Sequence, residues 1–98
     1  MPSLGSPDRS DFETAVLAVL SGLGEGEVVS YGEVAAAAGF PGAARAVGNL
    51  LRTCDRPLPW WRVVTATGRL APGKEREQAA RLRAEGIRTR DGRVRPGP

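Results

Sequence analysis

Two short helical segments lie on either side of a glycine-bearing turn in the middle of this 98-residue chain. Ser30 and Glu33 have the spacing of a capping box, which predicts that a helix begins there. Its predicted end is near Ala38, where Gly39 can adopt the left-handed conformation that terminates helices. Apolar residues recur at helical spacing over residues 43–52, so a second helix is predicted there. Two short helices joined in this way predict a helix-turn-helix motif.

The flanking sequence predicts smaller elements around this motif. A capping box at Ser10 and an apolar stripe predict a first helix over residues 11–22. Further predicted elements are an extended pair at 28–29, a wing made by 62–65 and 69–70, a polar helix over 74–85 and a hairpin over 87–94. The predicted fold is therefore mainly α with a small β wing, a winged helix-turn-helix domain over residues 10–94. Residues 1–9 and 95–98 are predicted to be disordered.

The adjacent tryptophans Trp60 and Trp61 are the only two in the chain. Indole rings usually pack in the core. Here, however, Pro57 and Pro59 impose an extended, irregular approach to the pair. The alternating run that follows predicts that the two rings point to opposite faces. We therefore expect one tryptophan to fill the core and the other to line a surface or pocket.

Charge is distributed unevenly along the chain. Residues 1–43 carry one basic residue against six acids, whereas residues 44–98 carry thirteen basic residues against five acids. A one-sided basic half is what a polyphosphate partner requires, because phosphate neutralisation supplies most non-specific affinity for nucleic acids. The alternative is that many of these arginines are solvated surface.

Composition excludes several classes of protein. The chain contains no histidine and one cysteine, Cys54, so an intramolecular disulfide and an ordinary zinc site are both excluded. The carboxylates are scattered, and we expect no metal and no cofactor. No apolar run has the length of a membrane span, and Met1 to Ser10 lacks the pattern of a signal peptide. We expect a soluble, cytoplasmic monomer with no membrane partner.

The second helix of the motif has a predicted exposed face of mostly small residues. A helix that reads bases usually carries several long polar side chains there. Such a smooth face instead suits close approach of the backbone to a shallow groove, with Arg45 as the projecting side chain. Close helix packing inside the protein explains the small residues equally well. The predicted nucleic-acid contacts of this helix are Ala43, Ala44, Arg45, Gly48, Asn49 and Arg52.

Several ungapped blocks carry a family resemblance. The segments VVSYGEVA at 28–35, PGAARAVG at 41–48 and RVV at 62–64 resemble the DNA-binding domain of O6-alkylguanine-DNA alkyltransferases over residues 10–86. In those enzymes a Pro-Cys-His-Arg-Val block holds the acceptor cysteine and the histidine that activates it. Trp60 stands at the cysteine position and Trp61 at the histidine position. The chain therefore resembles the alkyltransferase-like proteins, non-enzymatic relatives that carry tryptophan in place of the cysteine.

The chemistry of the residues agrees with the loss of catalysis. Alkyl transfer needs a thiolate, and a thiolate needs a neighbouring base or cation. Indole does not attack carbon under these conditions, and no imidazole exists to prime Cys54, which is interpreted as structural or incidental. We therefore predict no catalytic residue. The relatives usually keep histidine after the tryptophan, so Trp61 departs from their pattern.

The resemblance implies how the domain handles DNA. Family members insert the helix-turn-helix into the minor groove, and Arg45 matches the arginine finger that fills the duplex when a damaged base rotates out. Tyr31 matches the tyrosine that helps rotate the phosphate, and Trp60 offers an apolar wall to the flipped base. Arg62 supports the site in the family, although a structural ion pair is equally plausible. The predicted lesion pocket comprises Tyr31, Trp60, Trp61, Arg62, Val63, Arg69 and Lys74.

The function implied by the resemblance is recognition without repair. The protein would bind O6-alkylguanine in double-stranded DNA, flag it for nucleotide excision repair proteins and shield it from alkyltransferases. The loop over residues 68–74 is shorter than in relatives, so Arg69 and Lys74 are only candidates for closing the pocket. The sequence does not define which alkyl groups the pocket accepts. Two alternatives are a winged-helix transcription regulator without lesion specificity and an alkyltransferase that uses Cys54.

Overall fold

A computed structural model describes residues 9–95 of the protein. Four α-helices, one short 3-10 helix and four two-residue strands follow one another within these residues. In chain order they are α1 (Arg9–Ser21), β1 (Val29–Ser30), α2 (Tyr31–Ala37), α3 (Ala44–Thr53), the 3-10 helix (Trp60–Arg62), β2 (Val63–Val64), α4 (Glu75–Ala84), β3 (Thr89–Arg90) and β4 (Arg93–Val94). The predicted mainly helical fold with small β elements is confirmed.

The helix-turn-helix forms where the capping pattern predicts it. The Ser30 hydroxyl accepts a hydrogen bond from the Glu33 N–H at 3.0 Å, and Glu33 Oε1 accepts one from the Ser30 N–H at 2.8 Å. This reciprocal capping box fixes the first turn of α2. Gly39 follows the helix with a φ of 94°, which reverses the chain toward α3. The two helices then pack against each other.

The main core joins α1 to this motif. Val16 and Leu20 from α1 meet Val34 from α2 and Val47 from α3, and all four side chains are almost completely buried. Val63 of β2 belongs to the same cluster. A second, smaller cluster of Val64, Leu70 and Leu82 lies under α4, with Trp61, Ile87 and Val94 packed against it.

A parallel strand pair positions the tryptophan segment beside α2. Val29 pairs with Val63, and Ser30 pairs with Val64. Because Ser30 is also the N-cap of α2, the pairing brings the chain just before β2 close to the first turn of that helix. Tyr31 and Trp60 therefore reach a common surface from segments far apart in sequence.

The predicted turn between residues 62–65 and 69–70 is present, but the segments on either side of it pair mainly with other strands. Val63 and Val64 are both buried and apolar, which suits the parallel pairing with β1 better than a half-exposed hairpin. Arg69 instead forms an antiparallel bridge with Arg93 of the C-terminal hairpin. The chain between them is a tight turn in which the Thr65 N–H donates to the Arg69 carbonyl oxygen at 3.1 Å.

The tryptophan segment is a 3-10 turn and not the start of an alternating strand. The Trp60 carbonyl oxygen accepts a hydrogen bond from the Val63 N–H, and the Arg62 N–H donates to the Pro59 carbonyl oxygen at 3.1 Å. Because residues 60–62 form this turn, the pairing with β1 begins only at Val63.

The described residues begin with a helix and end beside the C-terminal hairpin. Helix α1 begins at Arg9, and the Arg95 N–H donates to the Arg88 carbonyl oxygen at 2.8 Å. Ser10, the predicted N-cap, lies inside α1, so this helix begins earlier than the capping box predicts. The remaining residues of the two predicted tails, 1–8 and 96–98, lie outside what the structure describes. Within residues 9–95, no helix has the length and apolar character needed to cross a membrane.

Candidate nucleic-acid interface

Helix α3 presents the exposed face that its sequence predicts. Arg45, Asn49 and Arg52 are exposed on one side, and Val47 is completely buried on the other. Arg52 donates a hydrogen bond to the Asn49 side-chain oxygen, which holds these two polar groups together. Arg45 makes no ion pair within the described residues, so its guanidinium is available to a ligand.

Gly48 allows Tyr31 to lie against this helix. A Cβ built on Gly48 would be 3.8 Å from Cε1 of the Tyr31 ring, so the ring covers the α3 backbone at that point. Tyr31 is half-buried, and burial raises the pKa of its hydroxyl above the ordinary value. The phenol therefore stays protonated at neutral pH and can donate a hydrogen bond to an anionic oxygen.

A groove of about 930 Å³ runs from the exposed face of α3 to Trp60. Its walls come from α3, the first turn of α2, the chain after α3, and the two loops beside β2 and α4. The predicted site residues that line it are Tyr31, Ala44, Arg45, Gly48, Asn49, Arg52, Trp60 and Lys74.

Five predicted site residues do not line the groove. Ala43 is the N-cap of α3 and packs against the main core. Val63 is completely buried, so its side chain cannot form a pocket wall. Arg69 lies in the bridge to the hairpin, and Trp61 and Arg62 turn toward Glu85 behind the groove.

Trp60 lies at the end of the groove with cations around its ring. Lys74 Nζ is 5.1 Å from the ring centroid, and the Arg81 guanidinium carbon is 6.0 Å from it. Trp61 meets Trp60 edge to face, with 6.3 Å between the ring centroids. Cations over an indole face are attracted by its quadrupole. The site therefore combines an aromatic surface with positive charge, which suits a base attached to phosphates.

Glu85 anchors the residues behind Trp60. Its carboxylate accepts hydrogen bonds from Trp61 Nε1 at 2.8 Å and from Arg62 Nη2 at 2.7 Å, and the Gly26 N–H donates to it at 2.8 Å. The hydrogen bond from Arg62 is the main cause that lowers the pKa of Glu85 to about 2. Arg62 also donates to the Leu23 carbonyl oxygen, so the structural ion pair considered in the sequence analysis is present.

Gln78 of α4 completes this support from inside the core. Its side-chain amide donates to the carbonyl oxygens of Trp61 and Val63 at 3.1 and 3.0 Å and accepts from the Ala71 N–H at 2.6 Å. The side chain is completely buried. One residue therefore links the 3-10 helix, β2 and the loop that forms one wall of the groove.

Cys54 is partly buried in the groove wall. It caps the carboxyl end of α3, where its N–H donates to the Leu50 carbonyl oxygen. The chain has no histidine that could take a proton from its thiol. In residues 9–95, no group of three or more side chains could hold a metal ion.

Sequence reasoning missed the part of the groove wall that follows α3. Cys54 was assigned no role in the site, and Arg56 and Leu58 were not singled out although all three line the groove. A leucine between two prolines in an otherwise polar segment was the available signal. The other groove residues outside the prediction are Gly32, Leu51, Thr65, Ala66, Ala71 and Pro72.

Comparison with known proteins identifies the family. Residues 11–87 match the model of the 6-O-methylguanine DNA methyltransferase DNA-binding domain. The DNA base-flipping protein of Vibrio parahaemolyticus is 39% identical over 80 residues, which cover 78% of this chain and 80% of that protein. This chain belongs to the alkyltransferase-like family.

Other members of the alkyltransferase-like family agree in sequence and structure. The DNA base-flipping protein of Escherichia coli is 40% identical over 93 residues, covering 89% of this chain and 71% of that protein. The crystal structure of S. pombe Atl1 in complex with damaged DNA containing O6-carboxymethylguanine superposes with a TM-score of 0.78 at 28% identity, with 93% of each chain covered. The predicted family and fold are thereby confirmed.

Proposed function

We propose that this alkyltransferase-like protein binds O6-alkylguanine in duplex DNA and holds the flipped base in the groove beside Trp60 without removing the alkyl group. The observation that carries the proposal is the continuous groove between the exposed face of α3 and Trp60. The DNA-bound structure of S. pombe Atl1 and the base-flipping names of the bacterial relatives support it.

The α3 face has the properties that docking to a narrow groove requires. Ala44 and Gly48 add little bulk, so the helix backbone can approach the minor groove closely. In this proposal the Arg45 side chain enters the duplex and takes the place of the rotated base. Tyr31 is the first residue of α2 and lines the groove, where its hydroxyl can donate to a phosphate during the rotation.

Trp60 then receives the base that has left the stack. Flipping a base costs a few kcal/mol and costs least when the base already pairs poorly, as O6-alkylguanine does. Stacking on an aromatic side chain stabilises a flipped base by about 1–3 kcal/mol, which offsets part of this cost. Lys74 lies over the same ring, where its charge can attract the phosphates on either side of the flipped nucleotide.

The residues around Trp60 give no route to alkyl transfer. In this proposal Trp60 takes the position that, by the resemblance of its motif, holds the acceptor cysteine in the related enzymes. The chain has no histidine to take a proton from Cys54. The lesion therefore stays on the DNA. In this proposal the protein acts as a cytoplasmic monomer on nucleoid DNA, marks the lesion for nucleotide excision repair proteins and blocks alkyltransferases.

A fluorescence titration with two single-tryptophan variants tests the proposal. Trp61→Phe leaves Trp60 as the reporter, and Trp60→Phe leaves Trp61 as the matched control. We expect Trp60 emission to be quenched by a duplex with one O6-methylguanine at concentrations where the matched guanine duplex has no effect, and Trp61 emission to change less.

Two outcomes would contradict the proposal. Equal affinity of the wild-type protein for the two duplexes would favour a general winged-helix DNA binder. Loss of the methyl group from the DNA, with a matching increase in protein mass at Cys54, would identify an alkyltransferase instead. Mass spectrometry of protein and DNA after the same incubation distinguishes these outcomes from binding alone.

A further inference from the structure

The hairpin formed by β3 and β4 carries a row of arginines that the lesion groove does not use. Arg90 pairs with Arg93 across the hairpin, and Arg93 also bridges to Arg69 on its other side. Residues directly opposite each other in antiparallel strands project from the same face. Three guanidinium groups therefore stand side by side across three neighbouring segments of chain.

Two more arginines extend this row along the strands. The hydrogen bond from the Arg95 N–H to the Arg88 carbonyl oxygen continues the ladder by one pair. Residues two apart in a strand share a face, so Arg88 lies on the face of Arg90, and Arg95 on that of Arg93. We call this surface the arginine face; it comprises Arg69, Arg88, Arg90, Arg93 and Arg95, all of which are exposed.

The hairpin holds the arginine face in a fixed orientation. Asp91 and Gly92 have positive φ angles of 53° and 74°, as the tight two-residue turns of hairpins require. Val94 on the opposite face packs against the second core cluster. The arginines are thus displayed on a backbone that is anchored to the domain.

Within residues 9–95, the arginine face makes one ion pair. Asp91 Oδ2 is 3.9 Å from Arg90 Nε, and both side chains are largely exposed. Such an exposed pair contributes little. Like charges placed directly opposite each other destabilise a sheet, so the arginine face is unfavourable to the isolated domain and favourable only to an anionic ligand.

We propose that the arginine face binds the phosphate backbone of the duplex outside the lesion site. Guanidinium groups recognise phosphate oxygens with two parallel hydrogen bonds. A protein interface, in contrast, has an apolar or aromatic centre, and the side chains of this face are all arginine. Of this face, Arg69 lies within residues 11–87, the segment that the family model matches, and the four hairpin arginines follow it.

The position of the arginine face fits this assignment. The Val94 N–H donates to the Gly68 carbonyl oxygen at 2.8 Å, which joins the hairpin to the turn after β2. Thr65 and Ala66 of that turn line the lesion groove. The hairpin that carries the arginine face is therefore attached to a turn that forms part of the groove wall. The inference rests on the proposed function in taking DNA as the ligand.

The salt dependence of DNA binding tests the arginine face. The test variant is Arg90→Gln with Arg93→Gln; the control is Arg76→Gln with Arg83→Gln, which removes the same charge from α4. Affinities for the O6-methylguanine duplex and the matched guanine duplex are measured between about 50 and 200 mM salt. Each lost phosphate contact reduces the slope of log affinity against log salt by about 0.9, so we expect a slope shallower by about 2 in the test variant alone.

The lesion preference separates this inference from the proposed function. Phosphate contacts outside the lesion weaken both duplexes equally, so the ratio of the two affinities should not change in the test variant. Replacement by lysine at both positions should retain the wild-type slope, and thermal unfolding should show that the glutamine variant is folded. A wild-type protein without lesion preference but with the expected change in slope would contradict the proposed function only.

An unchanged slope in the test variant overturns the inference. The arginine face would then be assigned to a partner other than DNA, such as an acidic protein surface. A control variant that changes the slope as much as the test variant would also overturn it, because the effect would then come from net charge and not from the arginine face.

Discussion

Trp60 and Trp61 are adjacent in sequence but lie in opposite kinds of environment. Trp61 packs against a core cluster, and its indole N–H is bonded to Glu85. Trp60 faces the groove, where Lys74 lies over its ring. Arg81 does not line the groove and lies closer to the Trp61 ring than to the Trp60 ring, at 4.7 and 6.0 Å. Behind the groove, Glu85 accepts the hydrogen bonds that Trp61 and Arg62 donate. In the groove, the Trp60 ring and the Lys74 ammonium group are available to a ligand. Rigidity and recognition are thus divided between two consecutive residues.

Among the variants that test this difference between the two tryptophans, a substitution of Gln78 is expected to have the largest effect. Gln78→Met keeps the volume but leaves the carbonyl oxygens of Trp61 and Val63 and the N–H of Ala71 without their partner. We expect the free energy of unfolding to fall by about 3–5 kcal/mol, because each buried unsatisfied group costs about 1–3 kcal/mol. Urea denaturation measures the loss.

The matched control for Gln78 is on the same helix. Arg76 is exposed on α4, and Arg76→Met should change the free energy of unfolding by no more than about 0.5 kcal/mol. If the Gln78 variant were as stable as this control, the buried amide would not support the 3-10 helix, and the division between the two tryptophans would need another cause.

The next effect concerns the ionisation of Glu85. Its pKa in the folded protein is about 2, below the value of 4.5 expected without the fold, so folding favours the carboxylate. The stabilisation is complete above about pH 5 and is lost as the pH falls through 4.5 toward 2. Glu85→Gln should lower stability at neutral pH and flatten its dependence on pH across this window.

Thermal unfolding between pH 2 and 7 measures that dependence. Glu77→Gln is the control, because Glu77 forms only an exposed pair with Arg81 on α4. A Glu85 variant whose stability falls with acid as steeply as that of the wild-type protein would show that other carboxylates dominate, and that Trp61 and Arg62 are not held by charge.

On the recognition side, the largest expected effect is from Arg45. Arg45→Ala should reduce the preference for the O6-methylguanine duplex about tenfold to a hundredfold, since an inserted side chain contributes about 1.4–2.7 kcal/mol at those ratios. Its stability should stay within about 0.5 kcal/mol of wild type, because Arg45 is exposed. Competition between the two duplexes measures the preference.

Arg90→Ala is the matched control for the arginine finger. It removes an equal charge from the arginine face, where we expect weaker binding of both duplexes and no change in preference. A larger loss of preference from Arg90 than from Arg45 would place base recognition on the hairpin and reverse the assignment of the two surfaces.

Local patterns in the sequence predicted the helical frame. The Ser30 capping box and the glycine after α2 act over a few residues, and their predicted geometry is present in the structure. The α3 face was equally accessible, because helical spacing alone separates Val47 from Arg45. These features depend on bonds and spacings within one segment of chain.

Pairings between distant segments could not be predicted in the same way. Val63 was assigned to the pocket because it follows the tryptophans, but its parallel pairing with Val29 buries it. Arg69 was assigned to the pocket loop, yet it bridges to Arg93 from the other end of the chain. The role of Glu85 also depends on a long-range contact, since it lies 23 residues from Arg62.

The smallest effect is expected at Gly48, where Tyr31 packs against α3 in the groove that contains Trp60. Gly48 lies within α3, and its missing Cβ would make an ordinary contact 3.8 Å from the Tyr31 ring. Gly48→Ala should therefore stabilise the protein by about 0.5–1 kcal/mol, because glycine is the poorer helix former. The added methyl group projects into the groove, so DNA affinity should fall slightly while stability rises. A rise in both would show that α3 does not approach DNA through its backbone, and that Gly48 serves only the packing of Tyr31.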